Sequence, residues 1–149
     1  VYGDAVYPDA TATLRLSTGR VKGFEQEGKP VGPFTDLAGL YRRFEERGPQ
    51  PPFGLPDRWL AARGSLNLAA PFNLTSTNDI IGGSSGSPMV NADARFVGII
   101  FDGNRYGFVW DFVYTSERGR AVSVDVRGII EALRKVYGAD RLVNEMLGL

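Results

Sequence analysis

The sequence predicts a mostly β fold with antiparallel strands, one short inserted helix and a C-terminal helix. Three observations support this fold class. Patterns typical of β-strands lie on both sides of a glycine- and serine-rich segment at residues 82–87. Residues 37–44 and 129–137 instead carry apolar side chains at helical spacing. The chain has 149 residues, 43% of them hydrophobic, and no internal repeat, so one domain spanning residues 1–149 is expected.

The first third of the chain is predicted to form a hairpin and then a helix. Apolar and polar residues alternate within Ala10–Phe24, and Thr18-Gly19 is a turn signal between the two halves of that stretch. Leu37–Phe44 carries apolar residues at positions i, i+3, i+4 and i+7, with Thr35 as the expected N-cap. Gly48, followed by proline, is expected to end this amphipathic helix.

The middle of the chain is predicted to return to β-structure after a connection. Pro49–Pro56 contains four prolines and therefore indicates a surface connection, and Asp57–Arg63 is expected to form short helical turns. Phe72–Phe101 has the composition of strands, with the glycine- and serine-rich segment and a turn at Asn91–Ala94 between them. The segment is therefore predicted to be a loop between strands.

The C-terminal part is predicted to contain one more β-like stretch and a helix. Phe108–Tyr114 is rich in aromatic and β-branched residues, which favours a strand. Asp125 is a good N-cap for a helix whose apolar face extends to Tyr137, and Gly138 is expected to end it. The chain is therefore expected to finish in helical structure.

The composition excludes several classes of function. The 17 basic and 17 acidic residues are interspersed and the net charge is zero, so the sequence predicts neither a nucleic-acid-binding stripe nor a membrane-surface patch. The chain has no cysteine, and no apolar run approaches the roughly 18 residues that span a bilayer. No cluster of ligand-type residues suggests a metal or an organic cofactor. The expected partner is a peptide or another small molecule.

Two further features suggest a piece of a longer protein. The chain begins at Val1 without a signal peptide, and it contains no histidine.

Three chemistries place glycines beside a hydroxyl, and the neighbouring residues discriminate between them. A phosphate-binding loop requires a lysine after its last glycine, whereas Ser87-Pro88 stands there. Gly82–Gly86 matches G-x-S-x-G with Ser84 as nucleophile, but that elbow requires a helix directly after the serine. Pro88 and the strand-like residues after it disfavour such a helix.

The third pattern is the G-x-S-G-x-P loop of chymotrypsin-type enzymes, matched by Gly83–Pro88 with Ser85 as the nucleophile. In that geometry the backbone N–H groups of Gly83 and Ser85 point to the site of the developing oxyanion. A glycine at position 83 can adopt the required dihedral angles, and Gly86 allows the chain to turn back. The alternative is a plain Gly-Ser-Pro turn between strands.

Other stretches occur in order around this loop and together resemble one family. They are Val6–Ala10, Leu16–Phe24, Ser76–Ile80, Phe101–Asn104 and Val122–Arg127. With the loop, they resemble the bacterial serine dipeptidyl aminopeptidases, the family of dipeptidyl-peptidase 7 and dipeptidyl-peptidase 11. The resemblance covers most of the chain, and only residues 25–68 are loosely similar.

The resemblance implies a chymotrypsin-like antiparallel β-barrel of the six-stranded type, namely the second barrel of a two-barrel peptidase that is periplasmic or secreted. It implies that Ser85 is the nucleophile and that an absent N-terminal barrel supplies the histidine and aspartate of the site. A serine hydroxyl is a weak nucleophile without a base, so this chain alone is expected to be inactive. Lys22, Lys29 and Lys135 are the alternative bases, but each is interpreted as a surface lysine.

The resemblance also implies a substrate: a peptide with a free N-terminus. Gly103 matches a pocket position that is arginine where acidic side chains are preferred, so glycine implies an apolar second residue. Asp102 matches the carboxylate that pairs with the substrate α-ammonium, and Phe101 is expected to line the pocket. The alternative interpretation of Asp102 is a turn residue at the end of a strand.

Asp79 favours a different specificity. It lies six residues before Ser85, where trypsin-like enzymes carry the aspartate that attracts lysine or arginine. The same Asn78-Asp79 pair belongs to the resembling family, so Asp79 is interpreted as a structural hydrogen-bonding residue.

Two alternative functions stay open: a fragment of a trypsin-like endopeptidase, and a non-catalytic module that captures peptide N-termini. A barrel without its partner is also expected to expose apolar surface and to self-associate as a homo-oligomer.

Overall fold

The computed structural model describes residues 14–149, and within them the strands form two sheets. The strands are β1 (Phe24–Gln26), β2 (Lys29–Val31), β3 (Phe34–Asp36), β4 (Pro71–Ser76), β5 (Pro88–Val90), β6 (Phe96–Gly103) and β7 (Ala121–Asp125). The α-helices are α1 (Leu37–Arg47), α2 (Asp57–Ala62), α3 (Val126–Lys135) and α4 (Asp140–Leu147). Short 3-10 segments span Arg63–Ser65 and Arg105–Asp111. None of the helices in this part of the chain has the length and apolar character needed to cross a membrane.

The two sheets are open. The larger has the strand order β3-β4-β7-β6-β5, and the smaller is the antiparallel pair β1-β2. Among residues 14–149 the strands do not close into a barrel. The barrel that the sequence predicts is therefore not closed in this part of the chain. The reason is that β3 and β5 are edge strands of only three residues, and no described strand pairs with their outer sides.

The chain divides into two compact units. The first contains residues 14–34 and 74–124, and the second contains residues 35–73 and 125–149. That the chain forms one domain stays a prediction.

The first unit contains the predicted strand-turn-strand around residues 88–103. Strand β5 pairs antiparallel with β6, with Pro88 opposite Ile99 and Met89 opposite Gly98, and the register shifts after Met89. The predicted turn forms because Asn91 Oδ1 accepts hydrogen bonds from the backbone N–H groups of two residues that follow it in the turn. The prediction that the glycine- and serine-rich segment connects strands is therefore confirmed.

Two strand predictions in this unit are wrong. Residues 10–13 lie outside the described part of the chain, and within residues 14–23 Val21 forms only an isolated bridge with Ser76. The hairpin lies later, where β1 and β2 turn at Glu27-Gly28 with both residues at positive φ.

The second wrong prediction is the strand at Phe108–Tyr114. A 3-10 segment forms there instead and buries Trp110, whose indole N–H donates to the Thr115 carbonyl.

The second unit contains the predicted helices. Helix α1 begins after Asp36, whose Oδ1 accepts a 2.7 Å hydrogen bond from the Gly39 N–H, so Asp36 and not Thr35 is the N-cap. Thr35 Oγ1 instead accepts a hydrogen bond from the Asn73 N–H. The core of this unit is built from Leu37, Tyr41, Ala62, Leu66 and Ala70.

The predicted cap of α3 is confirmed. Asp125 is almost fully buried, its Oδ1 accepts from the Arg127 N–H, and both carboxylate oxygens contact the Arg127 guanidinium at 2.7–2.9 Å. Gly128 packs against the start of β4, where a Cβ would lie 2.7 Å from the Pro71 carbonyl oxygen. The final helix, α4, was not predicted.

Candidate active site

The segment around Ser85 consists of two consecutive tight turns. The Ser84 N–H donates to the Ile81 carbonyl at 3.0 Å, and the Ser87 N–H donates to the Ser84 carbonyl at 3.1 Å. The third residue of each turn is a glycine at positive φ, +97° at Gly83 and +88° at Gly86. These dihedral angles are those that a type II turn requires at this position, and they explain why both residues are glycine.

The second turn is attached to strand β6. The Gly86 N–H donates to the Ile100 carbonyl at 2.7 Å, and the Ile100 N–H donates back to the Ser87 carbonyl at 3.1 Å. Ser85 is exposed, and its Oγ donates a 3.3 Å hydrogen bond to the Phe101 carbonyl. The structure therefore brings Ser85 together with Phe101, one residue before Asp102.

Two backbone donors of this loop are unused. Within residues 14–149, neither the Gly83 N–H nor the Ser85 N–H donates a hydrogen bond to any acceptor. Both residues are exposed. Backbone N–H groups without an acceptor next to a serine hydroxyl can bind an oxyanion that forms there.

Ser84 has a different environment from Ser85. It is half-buried, and its Oγ accepts a 3.3 Å hydrogen bond from the Ile81 N–H inside the first turn. The residues after the loop enter strand β5 at Pro88 and form no helix. The nucleophile elbow with Ser84 as its serine is therefore absent, because that elbow needs a helix at this point.

No base for Ser85 lies in the described part of the chain. The only hydrogen-bond partner of its hydroxyl there is the Phe101 carbonyl, which does not take up a proton at neutral pH. None of Lys22, Lys29 and Lys135 forms a hydrogen bond with Ser85, so the serine-lysine alternative has no geometric support. The sequence contains no histidine.

Asp102 and Gly103 form the end of strand β6. Asp102 is exposed, and its Oδ1 accepts a 2.8 Å hydrogen bond from the Gly103 N–H. This bond is of the kind expected for a turn residue, and within the described residues it is the only one that the carboxylate accepts. The carboxylate therefore retains acceptor capacity for a ligand.

Gly103 faces an apolar side chain. A Cβ placed on Gly103 would lie 3.4 Å from Ile80 Cδ1 and 3.6 Å from the Arg120 carbonyl oxygen. A methyl group would fit at ordinary van der Waals distances, whereas a long side chain would have to pass Ile80. Phe101, the third predicted substrate residue, is 44% exposed.

Two residues that sequence reasoning missed connect to this strand end. The side chain of Asn104 bridges to the backbone at Arg118 and Arg120, and the Arg120 side chain is fully buried. The signal for Asn104 was its position directly after Asp102-Gly103. Arg120 gave no signal, because a charged residue before an apolar strand predicts an exposed position.

Asp79 does not form the hydrogen bonds expected of it. Among residues 14–149 its carboxylate has no hydrogen-bond or ion-pair partner, and the structural bond comes from its neighbour: Asn78 Nδ2 donates to the Ser17 carbonyl at 2.8 Å. Burial raises the pKa of the Asp79 carboxyl above its ordinary value. The interpretation of Asp79 as a structural hydrogen-bonding residue thus has no support among residues 14–149.

Comparison with known proteins finds relatives for nearly the whole chain. A family model described as Peptidase S46 matches residues 1–148. The dipeptidyl-peptidase 7 of Phocaeicola vulgatus is 32% identical over 146 residues, which cover 93% of this chain and 20% of the relative. An Asp/Glu-specific dipeptidyl-peptidase of Capnocytophaga gingivalis is 32% identical over 152 residues, which cover 96% of this chain and 21% of the relative. The chain thus spans about a fifth of the length of these relatives.

A solved structure shows the same fold. The crystal structure of Porphyromonas endodontalis DPP11 in complex with the dipeptide Arg-Asp matches with a TM-score of 0.81 and 27% identity. The match covers 93% of this chain and 21% of that chain. The fold class predicted from the sequence, mostly antiparallel β with a few helices, is therefore confirmed.

Proposed function

Because this chain belongs to the peptidase S46 family, we propose that it is the nucleophile-bearing part of a serine exopeptidase that releases dipeptides from peptide N-termini. The observation that carries this proposal is the loop around Ser85. Its hydroxyl is exposed, two unused backbone N–H groups lie in the same loop, and the loop is bonded to the strand that carries Asp102. The roles of the site residues are part of the proposal.

The reaction begins with attack of Ser85 Oγ on the carbonyl carbon of the scissile peptide bond. A base takes the hydroxyl proton, and the carbonyl oxygen becomes an oxyanion that accepts hydrogen bonds from the Gly83 and Ser85 N–H groups. The tetrahedral intermediate collapses when the leaving amine takes that proton, and the dipeptide stays attached to Ser85 as an ester. Water, deprotonated by the same base, then hydrolyses the ester. Loss of one oxyanion donor costs about 3–4 kcal/mol in such sites.

The base comes from outside this chain. The described residues place only a carbonyl oxygen within hydrogen-bond distance of Ser85 Oγ, and the sequence has no imidazole. A histidine oriented by an aspartate, both in another part of the full-length protein, completes the chymotrypsin-like site. The 149 residues by themselves are inactive for this reason.

Asp102 limits cleavage to the second peptide bond. Its carboxylate pairs with the α-ammonium of the substrate, and a charge-assisted hydrogen bond of this kind fixes the distance from the N-terminus to the bond at Ser85. The single hydrogen bond that Asp102 accepts, from the Gly103 N–H, leaves the other carboxylate oxygen available. Phe101 contributes to the wall beside it.

The substrate side chain before the cleaved bond is apolar. Gly103 brings no charge, and the nearest groups to a Cβ position there are the aliphatic end of Ile80 at 3.4 Å and the uncharged Arg120 carbonyl oxygen at 3.6 Å. An acidic substrate side chain needs a cation to compensate for lost hydration, and neither Gly103 nor Ile80 supplies one. We therefore assign this chain an apolar preference, in contrast to the Asp/Glu-specific relatives.

The proposal is tested with the full-length protein that contains this chain and with peptides that differ only in their second residue. Mass spectrometry should detect dipeptides, released fastest when the second residue is Leu, Met, Phe or Tyr. Ser85→Ala should lower kcat by a factor of at least about 10³, because it removes the attacking atom. The exposed Ser87→Ala is the matched control and should retain activity.

Three results would contradict the proposal. Release of dipeptides by Ser85→Ala at the wild-type rate would remove Ser85 as nucleophile. Faster cleavage of N-blocked peptides after lysine or arginine would favour the trypsin-like endopeptidase, with Asp79 as its specificity residue. Binding of peptide N-termini by the wild-type protein without any release would favour the non-catalytic module.

A further inference from the structure

The end of strand β6 is held by a residue that has no role in the proposed chemistry. Asn104 follows Asp102 and Gly103 directly, and it is half-buried. We propose that Asn104 is a positioning residue: it fixes the backbone at Asp102-Gly103, so that the Asp102 carboxylate faces the substrate α-ammonium. This inference rests on the proposed function, because the ammonium is the ligand in question.

Asn104 makes three hydrogen bonds to one short segment of backbone. Its Nδ2 donates to the Arg118 carbonyl at 2.8 Å, and its Oδ1 accepts from the Arg120 N–H at 2.9 Å. Its own backbone N–H donates to the Arg120 carbonyl at 2.8 Å. The side-chain amide acts here as one more peptide group, which bonds to the backbone on both sides of Gly119. No other residue type of this length offers one donor and one acceptor in this geometry.

The backbone of residues 118–120, to which Asn104 is hydrogen-bonded, is itself held in place by Arg120. The Arg120 side chain has 0% exposure, and its guanidinium donates to five backbone carbonyls. These are the carbonyls of Lys22, Gly23, Ser116, Glu117 and Gly119. Burial lowers the pKa of this guanidinium from its ordinary value, but an arginine stays charged at neutral pH. The backbone to which Asn104 is hydrogen-bonded is therefore fixed in position by the buried Arg120 side chain.

Asp102 has no comparable support of its own. Its carboxylate accepts one hydrogen bond from the next residue, the Gly103 N–H, and it is exposed. Gly103 has no side chain that could hold the backbone, so the orientation of Asp102 depends on the bonds on either side of it. These are the ladder of β6 on one side and Asn104 on the other.

The prediction is a loss of substrate binding that acts through Asp102. In the full-length protein, Asn104→Ala should raise KM for a free-amine peptide about tenfold, as expected for the loss of one to two hydrogen bonds. The kcat should change far less, because Ser85 and its loop are attached to β6 before this point. Asn104→Asp keeps the acceptor for the Arg120 N–H but replaces the donor to the Arg118 carbonyl with an oxygen. Because two oxygens then face each other without a proton between them, the KM of this variant should also rise.

A double-mutant cycle separates positioning from a merely structural role. If Asn104 acts through Asp102, Asn104→Ala should have little further effect on KM in an Asp102→Ala background. A general loosening of the fold would instead lower activity by the same factor in both backgrounds. The cycle therefore reports the route by which Asn104 acts.

Asn91 provides the matched control. It is also an asparagine in a turn next to β6, where its Oδ1 accepts hydrogen bonds from the Asp93 and Arg95 N–H groups, but it precedes the opposite end of the strand. Asn91→Ala should lower the thermal unfolding midpoint by an amount similar to Asn104→Ala and leave KM unchanged.

Each outcome decides the matter. A KM for Asn104→Ala equal to that of the wild type, or effects that add with those of Asp102→Ala, would overturn the inference and leave the proposed function standing. Absence of dipeptide release by the wild-type protein would overturn the proposed function, and the inference with it. A raised KM that is not additive with Asp102→Ala, with Asn91→Ala normal, is the expected result.

Discussion

Asp79 shows how the environment of one residue decides whether it stabilises or destabilises the folded protein. Its carboxyl is half-buried and has no hydrogen-bond or ion-pair partner among residues 14–149, and burial raises its pKa. The charged form is thus less stable in the folded chain than in water. Above the raised pKa the folded state carries the full cost of this charge, and below the ordinary pKa of an aspartate both states are protonated and the cost is gone.

Asp79→Asn is therefore expected to stabilise the protein at neutral pH. The substitution keeps the shape of the side chain and removes the partly buried charge, so the free energy of unfolding at pH 7 should exceed that of the wild type. The difference should shrink as the pH falls toward the ordinary aspartate pKa. Denaturant unfolding at a series of pH values measures it, with exposed Asp93→Asn as the control. A variant less stable than the wild type at pH 7 would indicate a stabilising partner for Asp79.

At the same scale, the sequence predicted the loop residues better than the residues that support them. The turns at Gly83 and Gly86 could be predicted because a turn with positive φ favours glycine. Ser85 was selected from the G-x-S-G-x-P pattern, and its role as nucleophile stays a prediction. Arg120 could not be found, because its five carbonyl partners come from segments almost a hundred residues apart in the sequence. Such long-range polar contacts leave no periodicity for sequence reasoning to detect.

Helices whose apolar residues recur at helical spacing begin where the sequence predicts them, whereas the strand predicted from composition at Phe108–Tyr114 does not form. Helix α1 matches its predicted face, since several apolar residues at helical spacing outweigh one wrong cap. Helix α3 begins where predicted but ends at Lys135, its buried residues are Gly128 and Ala132, and Tyr137, predicted to lie on its apolar face, is exposed. The Phe108–Tyr114 stretch has strand-like composition but buries Trp110 in a 3-10 segment instead. Composition alone does not distinguish these two outcomes, because β propensity depends on neighbouring strands.

Gly128 tests the packing of α3 within its unit. Helix propensity alone predicts that Gly128→Ala stabilises a helix by about 1 kcal/mol. A Cβ at this position would lie 2.7 Å from the Pro71 carbonyl oxygen and 3.2 Å from Phe72 Cα, both backbone atoms, so the helix would have to move. We expect Gly128→Ala to lower the free energy of unfolding by about 1–3 kcal/mol.

The control for this substitution is Gly64→Ala. Gly64 lies in a 3-10 segment with no atom within 4 Å of a Cβ position, so the added methyl group should be neutral or slightly stabilising. Chemical denaturation of both variants gives the comparison. A Gly128→Ala variant as stable as Gly64→Ala would show that α3 does not approach β4 as closely as described.

For the molecule as a whole, the proposed site needs more chain than these 149 residues. The chain spans about a fifth of the length of its relatives, and the described residues include the proposed nucleophile and the two proposed oxyanion donors but no base for the nucleophile. Large apolar side chains are also exposed in the first unit, with Phe108 at 80% and Phe112 at 88%. Exposed aromatic residues of this kind are expected at interaction surfaces, and self-association of the isolated chain stays a prediction.

Covalent labelling of Ser85 by a fluorophosphonate tests the central claim most directly. The full-length protein should be modified at Ser85, identified by peptide mapping and mass spectrometry, since its base activates the hydroxyl. The isolated 149-residue chain should react about 10²- to 10⁴-fold more slowly, which is the usual contribution of a general base. Modification of the full-length protein only at another serine, or equally rapid labelling of Ser85 in the isolated chain, would contradict the account.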